Sequence, residues 1–342
     1  MWEKREMSSI GHQYVCVLGY GWSGSSAVVD LLKEFDENWD PEVEFRILKD
    51  PHGVMDLEHT LTEQWDALNV DIAIRDFLDF ADFLNENESK FKRGLCYSKS
   101  FNGKFMSSSL DFIDDITEFK YKGYWWIFNF RSQYVRWLAK KIANKFVKQN
   151  YEEIMYFSGI SKENFYNSVR KYINSLIEAV STDKKYKNIV LDQAVPVQHP
   201  LKAFDYLDNA KVIIVDRDPR DIYCDLIELE KLIGKDIAQT HDALKYVKWH
   251  KKYRENSHIQ NENILRIQFE DLVLKYEDTV NQILEFLGEK ELIHNQKMSF
   301  FDPAVSKKNI GKYKNFQYQD EIKVLEKELE AYLYPLNELG VK

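Results

Sequence analysis

Short apolar runs alternate with helix-like periodicity along much of the chain. Residues 14–18 (YVCVL) form such a run, the glycine-rich turn GYGWSGSS follows it, and AVVDLLKEF then shows helical spacing. Three further runs rich in β-branched residues, at 188–192, 211–216 and 263–267, are separated by helix-like stretches. Strands that alternate with helices indicate a parallel sheet covered on both faces. We therefore predict a three-layer α/β fold whose mainly parallel central sheet has about five strands.

The fifth predicted strand is VEFRIL at 43–48, where period-two alternation places three apolar side chains on one face. From about 56 to 185 the patterns are mostly helical, as in ENFYNSVRKYINSLIEAV. This stretch interrupts the alternation of strands and helices. We therefore predict a mainly helical insertion at 56–185 within a single domain that spans 1–342.

Charge and composition exclude some classes of function. The 342 residues include 47 Lys and Arg against 56 Asp and Glu, a net charge of −9, whereas a whole-surface nucleic-acid binder needs a positive field. The three cysteines lie far apart and the eight histidines show no ligand spacing, so we predict neither a disulfide framework nor a metal site. No signal peptide and no run of ~20 apolar residues is evident, so we expect a cytoplasmic protein.

The turn GYGWSGSS after the first strand has the composition of an anion-binding loop. It offers consecutive backbone N–H groups and the hydroxyls of Ser23, Ser25 and Ser26 at the start of a helix. Its glycine spacing matches a Walker A loop, but Ser25 stands where that motif needs lysine, which disfavours ordinary ATP or GTP hydrolysis. The loop predicts a phosphate or sulfate cradle; the alternative is a glycine turn that only permits close packing of strand and helix.

A second motif, KVIIVDRDPRDIYCDLIEL at 211–229, combines a buried strand that ends at Arg217 with a helix that begins at Pro219. Arginine at a strand end binds planar oxyanions well. The alternative is a structural salt-bridge cluster. The members of that cluster would be Asp216, Arg217, Asp218, Arg220 and Asp221.

Together these segments resemble the sulfotransferase superfamily, whose members have a P-loop-like fold and use the donor PAPS (3′-phosphoadenylyl sulfate). In that family a strand–loop–helix holds the 5′-phosphosulfate, and an arginine at a strand end holds the 3′-phosphate. Three later segments are similar to family segments in the same order: LDQAVP at 191–196, the stretch 264–288, and SKKNIGKYKNF at 306–316, which resembles a late phosphate loop. The resemblance covers about 14–50 and 190–316.

The resemblance implies a donor site drawn from three parts of the chain. Its residues would be Gly21, Trp22, Ser23, Gly24, Ser25 and Ser26 in the first loop, Arg217 and Asp225 in the second motif, and Lys307, Lys308, Gly311 and Lys312 in the late loop. The chain departs from the family pattern at three positions. Trp22 replaces a cation that steadies the leaving group, and Asp225 replaces a serine. Ser306 replaces an arginine, for which Lys307 and Lys308 are the substitutes.

Sulfuryl transfer requires an aligned acceptor hydroxyl, positive charge near the leaving phosphate and one proton acceptor. The candidates for the proton acceptor are Glu44, Asp50 and His52, which lie near the end of the predicted second strand and therefore near the crevice. Some sulfotransferases use a histidine and others a glutamate close to this place. Arg46 shares a predicted strand face with Glu44 and is the candidate cation in place of Trp22. The alternatives are a structural ion pair for Glu44 and Arg46 and an exposed bystander role for His52.

Residues 119–151 contain eight Lys and Arg, no acidic residue, and aromatic residues such as Trp125 and Trp126. This composition predicts contact with an anionic glycan, or peripheral contact with an anionic membrane surface that carries lipid-linked sugars. The alternative is a solvated basic helix beside an aromatic core.

The resemblance implies transfer of a sulfuryl group from PAPS to a hydroxyl of a carbohydrate or glycolipid, with PAP as product. Such an enzyme would act in the cytoplasm or at the inner face of the membrane. Trp22 and Asp225 favour one alternative, in which the same fold uses another phosphorylated nucleotide donor for phosphoryl or glycosyl transfer. The other alternative is a non-catalytic protein that binds anionic glycans through residues 119–151.

Overall fold

A computed structural model describes residues 11–86, 94–127, 153–180, 186–289 and 293–336. The chain divides into two compact units. The sheet unit comprises Met1–Leu48 and Val180–Lys342, and the helical unit comprises Lys49–Ala179. None of the helices described is long and apolar enough to cross a membrane.

The secondary structure follows the chain in this order. The strands are β1 (Gln13–Gly19), β2 (Asn38–Trp39), β3 (Phe119–Gly123), β4 (Glu153–Phe157), β5 (Asn188–Asp192), β6 (Ala210–Asp216) and β7 (Ile264–Gln268). The α-helices are α1 (Ser25–Lys33), α2 (Val54–Glu58), α3 (Ala67–Asn85), α4 (Tyr97–Ser100), α5 (Phe105–Ile116), α6 (Lys162–Val180), α7 (Lys202–Tyr206), α8 (Pro219–Glu228), α9 (Gly234–Thr240), α10 (Ala243–Tyr253), α11 (Phe269–Leu274), α12 (Tyr276–Leu287), α13 (Pro303–Ser306) and α14 (Gln319–Glu328). A π-helical turn spans His59–Glu63, and 3-10 turns span Lys307–Asn309, Lys312–Asn315 and Glu330–Tyr332.

Five parallel strands form the sheet of the sheet unit, in the spatial order β2-β5-β1-β6-β7. Val15 and Val17 of the central strand pack into a core with residues of α1 and α12. Their neighbours Cys16 and Leu18 point to the opposite face and are also fully buried. A parallel strand covered on both faces reads as a continuous apolar run, as this one does. The predicted α/β fold with a central parallel sheet of five strands is confirmed.

One predicted strand is wrong. Residues 43–48 form turns, and the fifth strand is instead the two-residue β2. Phe45 and Ile47 are fully buried, and the N–H of Phe45 donates to the carbonyl of Asp192 at the end of β5. Side chains of a turn can also alternate between buried and exposed positions. The period-two pattern at 43–48 therefore indicates which side chains are buried, and it does not indicate a hydrogen-bonded strand.

The helical unit has its own aromatic core. Phe112 of α5 stacks on Tyr172 of α6 with ring centroids 5.0 Å apart, and the Tyr172 hydroxyl hydrogen-bonds with Ser109 Oγ at 2.7 Å. The sequence predicted only helices for this region, and the structure adds an antiparallel hairpin of β3 and β4. The predicted basic surface at 119–151 is described only as far as residue 127, and the remainder lies outside the described residues.

Candidate functional site

The glycine loop between β1 and α1 is tightly curled. The N–H of Tyr20 donates to Ser23 Oγ at 3.0 Å. Gly24 has a φ of 87°, and a Cβ at this position would lie 2.4 Å from the ring of Phe269. The left-handed backbone and the close approach both require glycine here. Close packing therefore explains why residue 24 is glycine. It does not explain the backbone N–H groups at the start of α1.

The amino terminus of α1 presents hydrogen-bond donors. No side chain within the described residues caps its first turn, and the first N–H groups of a helix have no intrahelical acceptor. The positive end of the helix dipole also favours an anion at this place. Gln193 Nε2 donates to Ser25 Oγ at 2.9 Å, and Ser26 lines a neighbouring cleft. This terminus therefore suits a phosphate or sulfate group.

The neighbouring cleft has a volume of about 460 Å³, within the range of small-ligand sites. Four residues of the predicted donor site line it, namely Trp22, Gly24, Ser26 and Arg217. The remaining lining residues are Ala27, Asp30, Phe269, Met298, Ser299, Phe300, Phe301, Asp302, Val305, Ser306 and Asn309. The other predicted donor residues lie outside this lining: Gly21, Ser23, Ser25, Asp225, Lys307, Lys308, Gly311 and Lys312. The two motifs that were 195 positions apart in sequence therefore meet in one cleft.

Arg217 follows the last residue of β6 and is 5 % exposed. Its Nη1 donates to the carbonyl of Trp22 at 3.1 Å, and its Nη2 donates to the carbonyl of Asn309 at 2.5 Å. The guanidinium carbon also lies 5.3 Å from the ring centroid of Phe269. The Nε atom is buried and has no hydrogen-bond partner. Arg217 thus ties the glycine loop to the late loop and keeps one donor free.

Asp225 lies on α8 and points toward Arg217. Asp225 Oδ2 is 2.6 Å from Arg217 Nη1, and Asp225 Oδ1 is 2.5 Å from Lys312 Nζ. Lys312 Nζ also lies 2.5 Å from Glu228 Oε2. Two cations and two carboxylates therefore form one chain of ion pairs. The sequence could show the exchange of serine for aspartate but could not show that Lys312 would pair with it.

The late loop is fastened to α8 by Asp221. The Asp221 carboxylate accepts the N–H of Gly311 at 2.7 Å and the N–H of Tyr313 at 3.2 Å. Burial raises the pKa of Asp221 to about 6, although Arg217 and these two N–H groups favour its ionised form. Gly311 has a φ of 74°, a conformation that suits glycine. Lys307 and Lys308 are exposed on this loop and make no ion pair with the residues described.

A buried acid supports the start of α8. Glu270 Oε1 accepts the N–H of Asp218 at 2.9 Å, and Asp218 in turn caps α8 and pairs with Arg220 at 2.6 Å. Burial raises the pKa of Glu270 to about 8 against the lowering effect of the Asp218 N–H. The salt-bridge interpretation of this motif is therefore right for Asp218 and Arg220, whereas Arg217 pairs with Asp225 instead.

The catalytic candidates Glu44, Arg46, Asp50 and His52 belong to two different units, with Asp50 in the helical unit and 2.6 Å from Lys49 Nζ. Glu44 and Arg46 belong to the sheet unit, where Arg46 Nη2 lies 2.6 Å from Glu44 Oε2. His52 belongs to the helical unit, has a 58 % exposed side chain and lies 3.7 Å from Asp76. Its backbone has a φ of 71°, and its N–H donates to Asp56 at 2.6 Å.

Several contributors to the site were not among the predicted site residues. Phe269 packs on the glycine loop, Phe300 and Phe301 line the cleft, and Gln193 holds Ser25. Each of these lies far along the chain from the motif that it contacts, and only spacing within a motif is visible in a sequence. Among the residues that the structure describes, no group of three or more His, Cys, Asp and Glu could hold a metal ion.

Comparisons with known proteins match this chain to sulfotransferases. Residues 123–291 match the model of a family described as "Sulfotransferase family". The sulfotransferase domain of the Synechococcus PCC 7002 olefin synthase is similar in structure, with 14% identity, a TM-score of 0.39, and coverage of 98% of this chain and 100% of that chain. Sulfotransferase STF9 from Mycobacterium avium gives 13% identity, a TM-score of 0.37, and coverage of 94% and 76%. No curated protein matches the chain in sequence.

The matched family segment includes β6, Arg217, α8 and the stretch from β7 to α12, while the glycine loop lies before it. All the TM-scores are below 0.5, so the assignment does not rest on the structural neighbours. It rests on the family model, with the parallel sheet and the loop–helix cleft in agreement. The family match and the fold support assignment of the chain to the sulfotransferase superfamily.

Proposed function

We propose that the protein transfers a sulfuryl group from PAPS to a hydroxyl of a carbohydrate or glycolipid acceptor and releases PAP. The observation that carries this proposal is Arg217, a buried arginine that lines the cleft and whose Nε atom has no hydrogen-bond partner. The same cleft reaches Ser26 at the amino terminus of α1. Two anion-binding features in one cleft suit a donor that carries phosphate at both ends of its ribose.

In this proposal different residues bind different groups of the donor. The N–H groups at the start of α1, with Ser25 and Ser26, bind the 5′-phosphosulfate. Arg217 binds the 3′-phosphate, and the exposed Lys307 and Lys308 add positive charge from the late loop. Gly21, Trp22, Ser23 and Gly24 shape the glycine loop, and Gly311 and Lys312 shape the late loop.

The proposed reaction needs one proton acceptor. The acceptor oxygen forms a bond to sulfur while the bond from sulfur to the bridging phosphate oxygen breaks, and PAP leaves with that electron pair. The acceptor proton passes to a base, for which Glu44, Asp50 and His52 are the candidates. Arg46 already holds Glu44 in an ion pair, so a role as base for Glu44 requires that this pair opens. The exposed imidazole of His52 carries no such requirement.

The acceptor class is proposed from the surface of the β3–β4 hairpin. Tyr124, Trp125 and Trp126 are 47%, 44% and 62% exposed at the end of β3. Exposed aromatic rings stack on sugars and also suit the interface of a membrane. With the basic composition of residues 119–151, they favour an anionic polysaccharide or a lipid-linked sugar at the inner face of the membrane. This surface also suits the alternative of a non-catalytic glycan-binding protein, which would bind such a polymer without turnover.

Calorimetric titration with PAP and AMP tests the donor, because the two ligands differ only in the 3′-phosphate. We expect PAP to bind at least ~10-fold more tightly than AMP, and Arg217→Ala to remove this preference. Lys323→Ala, which changes an exposed lysine paired with Asp320, is the matched control and should keep the preference. Equal affinity for PAP and AMP in a folded protein would favour the alternative donor without a 3′-phosphate.

A further inference from the structure

Asp225 occupies the place where two cations of the late loop and the second motif converge. Each of its carboxylate oxygens is bound by a different cation, Arg217 at 2.6 Å and Lys312 at 2.5 Å. The side chain is 13% exposed, and that of Arg217 is 5% exposed. A carboxylate held in this way has the same charge sign and the same kind of partners as a bound phosphate oxygen.

The charges of the cluster cancel. Arg217 and Lys312 supply two positive charges, and Asp225 and Glu228 supply two negative charges. Arg217 also donates hydrogen bonds to the carbonyl oxygens of Trp22 and Asn309. Only its Nε atom lacks a hydrogen-bond partner. The cluster therefore offers an incoming dianion few free donors and no net positive charge.

We infer that Asp225 determines donor specificity by acting as an internal anion between Arg217 and Lys312. Its carboxylate competes with a 3′-phosphate for both cations and repels it, so it lowers the affinity of the cleft for nucleotides that carry this group. The inference rests on the proposed donor site at Arg217. It makes Lys312 the second cation that the 3′-phosphate would gain once Asp225 is neutral.

The effect has a definite sign. Neutralising Asp225 removes one negative charge a few ångströms from the phosphate and frees donors on Arg217 and Lys312. Even at the weak coupling of a partly solvated site, one charge at ~4 Å changes binding by about tenfold or more. A site in which Asp225 merely orients Arg217 for the phosphate would respond in the opposite direction, because the arginine would lose its support.

The experiment is calorimetric titration of the full chain with PAP and with AMP in matched variants. Asp225→Ser introduces the residue typical of the resembled family, and Asp225→Asn keeps the size of the side chain should the serine variant fold poorly. Asp236→Asn, an exposed acid paired with Lys245, is the control for the change of net charge. We expect PAP affinity to rise about tenfold in either Asp225 variant, with AMP affinity unchanged. Adding Lys312→Met should abolish that gain.

The outcomes separate this inference from the proposed function. A preference for PAP over AMP that appears or grows when Asp225 is replaced supports the inference. A wild-type preference for PAP that stays the same or falls in the folded Asp225 variants overturns the inference and leaves the donor assignment standing. Equal binding of PAP and AMP in every variant overturns the donor assignment and the inference with it.

Discussion

Replacing Glu270 with glutamine should change how the stability of the protein depends on pH. The carboxyl group is 1 % exposed, and one oxygen accepts the N–H of Asp218 at 2.9 Å. The other oxygen has no hydrogen-bond partner. Burial raises the pKa of Glu270 to about 8. A glutamine keeps an oxygen for the Asp218 N–H and remains neutral at every pH.

The magnitude follows from the difference between the folded and unfolded pKa. The folded protein holds the Glu270 proton up to about pH 8, whereas the unfolded chain releases it near 4.5. The stabilisation from this group is therefore complete below pH ~4.5 and is lost as the pH rises through about 8. Full titration corresponds to a loss on the order of 5 kcal/mol, at about 1.4 kcal/mol per pH unit between the two values.

Urea unfolding at pH 5.5, 7 and 8.5 measures this effect. The free energy of unfolding of Glu270→Gln, relative to the wild type, should increase across this series. Glu285→Gln, which changes an exposed glutamate of α12, is the control and should show no such trend. A difference between Glu270→Gln and the wild type that is constant with pH would refute the buried, protonated state of Glu270.

Two further substitutions test the packing around the cleft. Gly24→Ala should lower the free energy of unfolding by more than ~2 kcal/mol, because its Cβ would meet the Phe269 ring at 2.4 Å. Gly21→Ala, which shares a positive φ but has open space around it, should cost only about 1 kcal/mol; equal losses in thermal melts would contradict the contact with Phe269. Arg254→Met should cost ~3–5 kcal/mol in urea unfolding, because it leaves Asp216 without the buried arginine that lies 2.5 Å away. A loss below ~1 kcal/mol would show that this pair does not stabilise the fold.

The sheet could be predicted because its strands are buried on both faces. The centres of β1 and β6, YVCVL and VIIV, consist of apolar residues without interruption, which is typical of buried parallel strands. The short strand β2 could not be found in the same way, since two residues carry no periodicity. The β3–β4 hairpin was not predicted for a related reason. Four of the five residues of β3 are exposed, so the strand has no apolar face that a sequence pattern could show.

The cleft that we propose as the donor site could be predicted in part. The glycine loop and Arg217 each have a local signature, and the ends of adjacent parallel strands meet at one edge of a sheet. The contacts that complete the cleft join distant positions, such as the Asp221 carboxylate with the N–H of Gly311. Hydrogen bonds of this kind depend on the path of the late loop in space. A single sequence contains no pattern that reports that path.

The pairing of charge around the cleft has a consequence for donor binding. Arg217, Arg220 and Arg254 are all buried, and each lies within 2.6 Å of a carboxylate oxygen. Buried cations need such partners to offset the loss of hydration, so their charge is already balanced before a donor arrives. The N–H groups at the start of α1 have no such counterion, because a helix terminus carries only partial charge. We therefore expect these backbone groups to contribute more to binding of the 5′-phosphosulfate than side-chain cations do, which is consistent with tryptophan instead of lysine at position 22.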